Sequence, residues 1–225
     1  MRVRGIVAVV AVLAVGTTSI ALAAPVNVPN GGFEEGNFSH WKRFERGGGT
    51  WQIYGGIPRG MGPLVPLPPQ GQNAALLTQG GPGVNILHRV LKLKRNSVNK
   101  IKFKLFYDNT NNRFFTPNNF KFGGGGMPPP PPRGIPLAKP NQQLRVDLMK
   151  RNAKIKSLKD KDVFATLLWT KVGDPLSRPY RTVKANLEKL DIDAKRVRLR
   201  IAEVDNRGEF FVGVDALKQS ARKLR

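Results

Sequence analysis

Acidic and histidine side chains are the first candidates for catalysis in this sequence. Glu203 and Asp205 lie two residues apart, so a strand would place both carboxylates on one face. Paired carboxylates perform glycoside hydrolysis, but the adjacent Asn206 indicates that Asp205 organises a turn. His40 and His88 lie in no metal-binding or triad-like pattern. The sequence therefore predicts a protein that is not an enzyme.

Lysine and arginine offer a different chemistry, the binding of anions. The chain has 38 Lys and Arg against 15 Asp and Glu, a formal net charge of +23, and such an excess attracts polyanions. The basic residues predicted to bind ligand fall on the polar phase of alternating stretches: Lys100, Lys102, Lys104, Arg145, Arg196, Arg198 and Arg200. The arginines are expected to contribute more per residue, because a guanidinium holds an anionic group with paired donors. A merely solvated basic surface is the alternative.

The elements that position these side chains are antiparallel strands. Apolar and charged residues alternate with period two around residues 100–107, 144–148, 182–187 and 196–201, which is typical of strands with one buried face. Further strands are expected at 84–94 and 210–218, with a weaker one at 50–54. The stretch 163–170 is apolar on both faces and predicts a central strand covered on both sides. The pattern indicates an all-β antiparallel sandwich.

Two stretches rich in glycine and proline interrupt the alternation, at 55–72 and 123–140. Proline lacks the backbone donor that a ladder needs, and glycine loses much conformational entropy in a strand. Both stretches are predicted to be loop insertions within a single β-sandwich domain spanning 24–225.

The N-terminal residues predict export. Met1 to Arg4 form a basic start, residues 6–15 are apolar, and Ala21-Leu22-Ala23 is a small-x-small cleavage pattern, as in signal peptides. The apolar run is shorter than the roughly 20 residues of a membrane helix. We expect a signal peptide over 1–23 and a secreted or periplasmic mature protein, with no later membrane span. The chain has no cysteine, which excludes disulfides and thiolate sites.

Short motifs at the two ends of the mature chain resemble a known family. Residues 30–36 (Asn-Gly-Gly-Phe-Glu-Glu-Gly), followed by Trp41, are similar to the opening of secreted bacterial carbohydrate-binding-module-like domains. Residues 202–206 and 210–217 resemble the final hairpin of those domains. The resemblance implies a galactose-binding-like jelly roll, which is usually non-catalytic.

The same resemblance implies a structural Ca²⁺ that joins the first and last strands. By position, Glu34 and Asp215 would supply the carboxylates, and oxygen ligands are what this hard cation requires. Ala216 departs from the family pattern, because many relatives carry a second Asp there. The alternative is that Glu34 and Asp215 bond only to local backbone donors or to one of the many cations.

Aromatic residues in loops could stack on sugars or bases, whereas those in strands are expected in the core. Phe114, Phe115, Phe120 and Phe122 belong to the first group, Trp169 to the second. Trp41 and Trp51 are predicted to anchor the first strands in the core.

Charge and resemblance together favour an exported, non-catalytic module that binds glycan, in particular anionic polysaccharide, at or outside the cell surface. A structural envelope or matrix protein that adheres to polyanions is the alternative. A secreted glycan hydrolase or its accessory subunit is a third possibility, and nucleic acid would bind only through non-specific charge.

Overall fold

The computed structural model describes residues 23–56, 65–115, 120, 122 and 140–224. This part of the chain forms strands and no helix. The strands are β1 (Ala24–Val26), β2 (Lys42–Tyr54), β3 (Ala74–Lys92), β4 (Ser97–Asn109), β5 (Gln142–Lys150), β6 (Val163–Trp169), β7 (Ser177–Asn186), β8 (Arg196–Asp205) and β9 (Phe210–Lys223). All of their pairings are antiparallel.

The long strand β3 connects two layers. Its second half, Gly83 to Lys92, pairs with β8, while Ala75 to Gln79 pair with β9. The hydrogen-bonded order is β6-β5-β8-β3-β9-β4-β7, with β1 added to β9 and β2 to β3. We call β5, β6, β8 and the second half of β3 layer A. Layer B contains β4, β7, β9 and the first half of β3.

The core lies between the layers and follows the predicted alternation. One cluster of buried apolar residues joins the two layers. Layer A contributes Leu144, Val146 and Leu148 of β5 and Val197, Leu199 and Ile201 of β8. Layer B contributes Ile101, Phe103 and Leu105 of β4 and Val212 and Val214 of β9. Trp41 and Trp51 are buried in the same cluster, at 5% and 1% exposure, as predicted. Burial of this apolar surface stabilises the fold by roughly 25 cal/mol per Å². The predicted all-β antiparallel sandwich is confirmed.

The prediction for residues 163–170 is wrong in one respect. These residues form β6, but β6 ends the strand order and pairs only with β5. Its residues are half-buried or exposed. Phe164, Leu167 and Leu168 pack against the core cluster and Trp169 packs against a second, smaller cluster, so the apolar residues of β6 are only partly covered.

The predicted loops fall partly outside the described residues. Within 55–72, residues 55–56 and 65–72 contain no strand, in agreement with the prediction. Apart from Pro140, the stretch 123–140 lies outside the described residues. No helix in the described part of the chain is long and apolar enough to cross a membrane.

Candidate functional site

Lysines from three neighbouring strands form a cationic groove on the outer face of layer B. Lys102 of β4 pairs in register with Lys184 of β7 on one side and with Lys218 of β9 on the other. Lys100 and Lys189 line the same open groove, which has a volume of about 710 Å³. We call these five residues the lysine groove. Strands lie about 4.8 Å apart, so Lys184, Lys102 and Lys218 form a row roughly 10 Å across.

The lining of the lysine groove combines the five lysines with neutral residues. Its other lining residues are Ala23, Pro25, Ile101, Ala185, Asn186, Gln219 and Ser220, and none is acidic or aromatic. Lys100, Lys102, Lys184, Lys189 and Lys218 are all exposed. Like charges this close repel one another, and an anion relieves that repulsion.

Lys104 lies at the end of this row in a different environment. It is half-buried, and its partners in register are Thr182 and Asp215. Lys104 is therefore less accessible to an anion than Lys100 and Lys102, which are exposed.

The predicted arginines lie on layer A, and the prediction that they form an exposed face needs correction. Arg200 is fully buried, and its guanidinium lies 2.5 Å from Asp147, which is also fully buried. Its Nη1 donates to the backbone oxygens of Ile155 and Ser157 at 2.7 and 2.8 Å. A side chain with these partners is not available to a polymer outside the protein.

Two other predicted arginines of layer A, Arg145 and Arg198, are also engaged within the fold. Arg198 donates to the backbone oxygens of Arg151 and Ala153. Arg145 binds Asp147 at 2.9 Å and keeps only 13% of its side chain exposed. Arg196, half-buried, lies on the same face of β8. The segment between β5 and β6 covers this face, so polar alternation here reflects internal contacts rather than exposure.

An aromatic cluster also covers layer A. Phe44, Phe122 and Trp169 pack against Ile86, Phe120 and Val204. Trp169, which was predicted to lie in the central core, is half-buried on the outer face. Its indole donates to Gln143 at 2.7 Å, and Arg145 and Lys171 lie 5.6 and 5.5 Å from its ring.

Most loop aromatics predicted for stacking are covered. Phe114 and Phe120 are buried, at 1% and 3% exposure. Phe115 is half-buried between the guanidinium groups of Arg113 and Arg207. The exposed large hydrophobic residues in the described part of the chain are Leu67, Val90, Val172 and Leu224, none of them aromatic. Phe115, Phe122 and Trp169 remain partly exposed, so part of the described aromatic surface stays accessible.

The structure brings Glu34 and Asp215 together, as the resemblance implies. A Cβ on Gly32 would lie 3.4 Å from Asp215 Oδ1 and 4.0 Å from Glu34 Oε1. Asp215 accepts backbone N–H groups of Gln70 and Ala216, and Glu34 accepts those of Gln72 and Asn73. Burial raises the pKa of Asp215 to about 7. These oxygens suit Ca²⁺ chemically, but the same backbone donors also satisfy them.

The pair considered for glycoside hydrolysis lies inside the protein. Glu203 and Asp205 are 0% and 2% exposed, so no polymer bond reaches them in this conformation. His40 is exposed. His88 is half-buried, and burial lowers its pKa to about 4. The described residues contain no group of three or more His, Cys, Asp and Glu side chains arranged for a metal ion.

Comparisons with known proteins give a likeness of fold. No family model and no curated protein matches the sequence. The structure of TmCBM61 in complex with β-1,4-galactotriose is similar with a TM-score of 0.51 and 10% identity, over 85% of this chain and 95% of that one. The Stig cyclase Fisc from Fischerella sp. TAU has a TM-score of 0.49 and 14% identity, over 91% of this chain and 100% of that one.

A third similar structure is the CBM22-1 xylan-binding domain from Paenibacillus barcinonensis Xyn10C. Its TM-score is 0.40 with 12% identity, over 86% of this chain and 92% of that one. Only the first of these three similarities exceeds a TM-score of 0.5, and it supports the fold. The chain therefore has a jelly-roll β-sandwich fold like that of the carbohydrate-binding module TmCBM61.

Proposed function

We propose that the protein is an exported, non-catalytic module that binds anionic glycan, and that the lysine groove is its binding site. The row Lys184–Lys102–Lys218 across three strands carries this proposal. The strands fix the spacing of the three lysines along the backbone, and the flexible side chains let their ammonium groups adapt to the polymer. A linear polyanion that lies across the row replaces small counterions, and their release favours binding.

One feature of the groove favours a glycan. Asn186 and Ser220 add neutral polar groups beside the lysines, and such groups suit sugar hydroxyls. Non-specific attraction of nucleic acid by charge remains part of this account.

The fold adds a second line of support. TmCBM61, whose fold this chain shares, was solved with a galactose oligosaccharide. The proposed ligand of the present protein differs in carrying negative charge, because its groove is lined with ammonium groups. We further propose that Ca²⁺ bound by Glu34 and Asp215 would hold the segment before β2 against β9, where Leu217 donates its N–H to Gly31.

An array of neutral, carboxylated and sulfated glycans, probed at low and at high salt, tests this function. The proposal predicts selective binding to a subset of anionic glycans that persists, more weakly, at high salt. Equal binding to all polyanions, lost altogether at high salt, would instead favour an envelope protein that adheres by charge alone. Cleavage of any glycan during the assay would contradict the non-catalytic assignment.

A further inference from the structure

The interior of the sandwich is polar at one end. Glu203 of β8 and Asn85 of β3 are partners in register. Their side chains point into the sandwich, because they lie on the same strand faces as Ile201 and Leu87, which both belong to the core cluster. Glu203, Asn85 and Gln79 are 0%, 0% and 1% exposed. This group points between the layers, whereas the lysine groove lies on the outer face.

The hydrogen bonds of this group leave two oxygens without a donor. Asn85 Nδ2 donates to Gln79 Oε1 and, at 3.2 Å, to Glu203 Oε2. Asn85 Oδ1 and Glu203 Oε1 are buried and have no hydrogen-bond partner in the described part of the chain. Two neighbouring acceptors that are buried without a donor are unfavourable. A positive ion would offset that penalty.

The negative charges of two neighbouring carboxylates also favour a bound positive ion. Asp205 lies two residues from Glu203 on the same strand face, and its Oδ1 accepts the N–H of Arg207 at 2.7 Å. The ion pairs of the described residues involve Glu45, Asp108 and Asp147, which leaves this pair of carboxylates without a cationic side chain.

Glycines lie beside the group. Gln79 lines an open pocket of about 500 Å³ together with Gly47, Gly48, Gly49 and Gly80. A Cβ on Gly49 would collide with Asn85 Nδ2 and lie 2.7 Å from Gln79 Oε1. The absence of a side chain at Gly49 therefore lets the backbone of β2 approach the buried amides.

We propose that Glu203, Asp205 and Asn85 form an internal binding site for a hard divalent cation such as Ca²⁺. The two carboxylates match its charge, and Asn85 Oδ1 adds a neutral oxygen. Ca²⁺ takes six to eight oxygen ligands, so backbone oxygens or bound water would have to complete the shell. This site is separate from Glu34 and Asp215 and from the lysine groove, and it would hold β3 and β8 together at the end of the sandwich.

Calcium titration by calorimetry on protein first stripped with chelator tests the proposal. Native protein should bind a Ca²⁺ that Glu203→Gln binds at least tenfold more weakly, because the isosteric amide removes one charge. Asp215→Asn should retain this binding event. Glu209→Gln also removes one negative charge, from the lining of the glycine pocket, and should retain the same binding event. Equal binding by native protein and Glu203→Gln, or no binding by native protein, would overturn the proposal.

A second measurement on native protein serves if Glu203→Gln does not fold. Gd³⁺, a paramagnetic substitute for Ca²⁺, should broaden the amide signals of Gln79, Asn85 and Glu203 at substoichiometric concentration. Broadening confined to Gly32 and Ala216 would place the ion at Glu34 and Asp215 instead and would overturn the internal site.

Discussion

At the scale of single residues, Arg200 and Asp147 form a fully buried ion pair beneath the segment that joins β5 to β6. Removing one partner of such a pair leaves an uncompensated charge in a medium of low dielectric constant. We therefore expect Arg200→Gln to lower the free energy of unfolding by about 3–5 kcal/mol. Lys102→Gln, an exposed change of equal charge, should alter it by less than about 0.5 kcal/mol.

Urea unfolding of the two variants beside native protein measures this difference. If Arg200→Gln were as stable as Lys102→Gln and bound polyanions more weakly, Arg200 would be a ligand-binding residue after all. The buried pair would then have no structural role.

Asp215 predicts how stability depends on pH in the presence of chelator. Burial raises its pKa from 3.8 to about 7 in the folded protein, so its contribution to stability is fully present below about pH 4 and is lost as pH rises to about 7. Asp215→Asn cannot ionise and should gain stability relative to native protein across this range. Urea midpoints at pH 4, 5.5 and 7 measure the gap, and a gap independent of pH would contradict the assignment.

The sequence places the charged side chains on strand faces but does not say what covers those faces. Lys102 and Arg200 occupy equivalent polar phases in β4 and β8, yet one is exposed and the other buried. The difference arises from a connection remote in sequence, residues 151–162, whose backbone oxygens accept the arginine N–H groups. Alternation therefore predicts the orientation of a side chain relative to the sheet, and tertiary contacts decide its exposure.

At the scale of elements, Arg198 and Arg200 together hold the segment between β5 and β6 against layer A. Arg198 reaches the oxygens of Arg151 and Ala153. We expect Arg198→Gln to increase hydrogen exchange in a peptide covering 151–158, because the segment loses its contacts at this end. Exchange in β4 should not change.

Mass-spectrometric hydrogen exchange on native protein and Arg198→Gln checks this expectation, with Lys195→Gln as an exposed control. Unchanged exchange in 151–158 would show that Arg200 alone holds the segment. Increased exchange throughout the protein would indicate global destabilisation instead.

The strands were predictable where alternation was regular, as in β4, β5 and β8. The first half of β3 was not predictable, because the glycines that follow it, Gly80, Gly81 and Gly83, are typical of a turn. In the structure β3 continues through these glycines, with an irregularity opposite Gly47 and Gly49 of β2. Pairing with β2 and β9, which are distant in sequence, overrides the local preference.

The two candidate binding features also differ in how far sequence predicts them. Lys100, Lys102 and Lys104 were identified from β4 alone, whereas Lys184, Lys189 and Lys218 join the groove only through the strand order β9-β4-β7. The internal group was recognised only as a weak carboxylate pair. Its amides, Asn85 and Gln79, lie more than a hundred residues away from Glu203.

At the scale of the whole molecule, the predicted cleavage site meets the edge of the lysine groove. Ala23 and Pro25 line this groove, and Ala24 begins β1. We expect mature protein from the extracellular or periplasmic fraction to begin at Ala24, which would place a free α-amino group there. Intact-mass measurement checks the terminus. Exported protein that retains Met1 or Arg2 would contradict the predicted signal peptide.

The affinity for heparin as salt is raised tests the lysine groove most directly, in two variants that each lose three positive charges. One is Lys102→Gln with Lys184→Gln and Lys218→Gln. The matched control changes Lys154, Lys159 and Lys161, which are exposed in the segment between β5 and β6. We predict that the groove variant binds heparin at least tenfold more weakly at low salt. The slope of the logarithm of its binding constant against the logarithm of salt concentration should become shallower by roughly 2, at about 0.7 for each lost contact. The control variant should stay near native. Equal losses in both variants would contradict a defined site and leave only diffuse attraction by net charge.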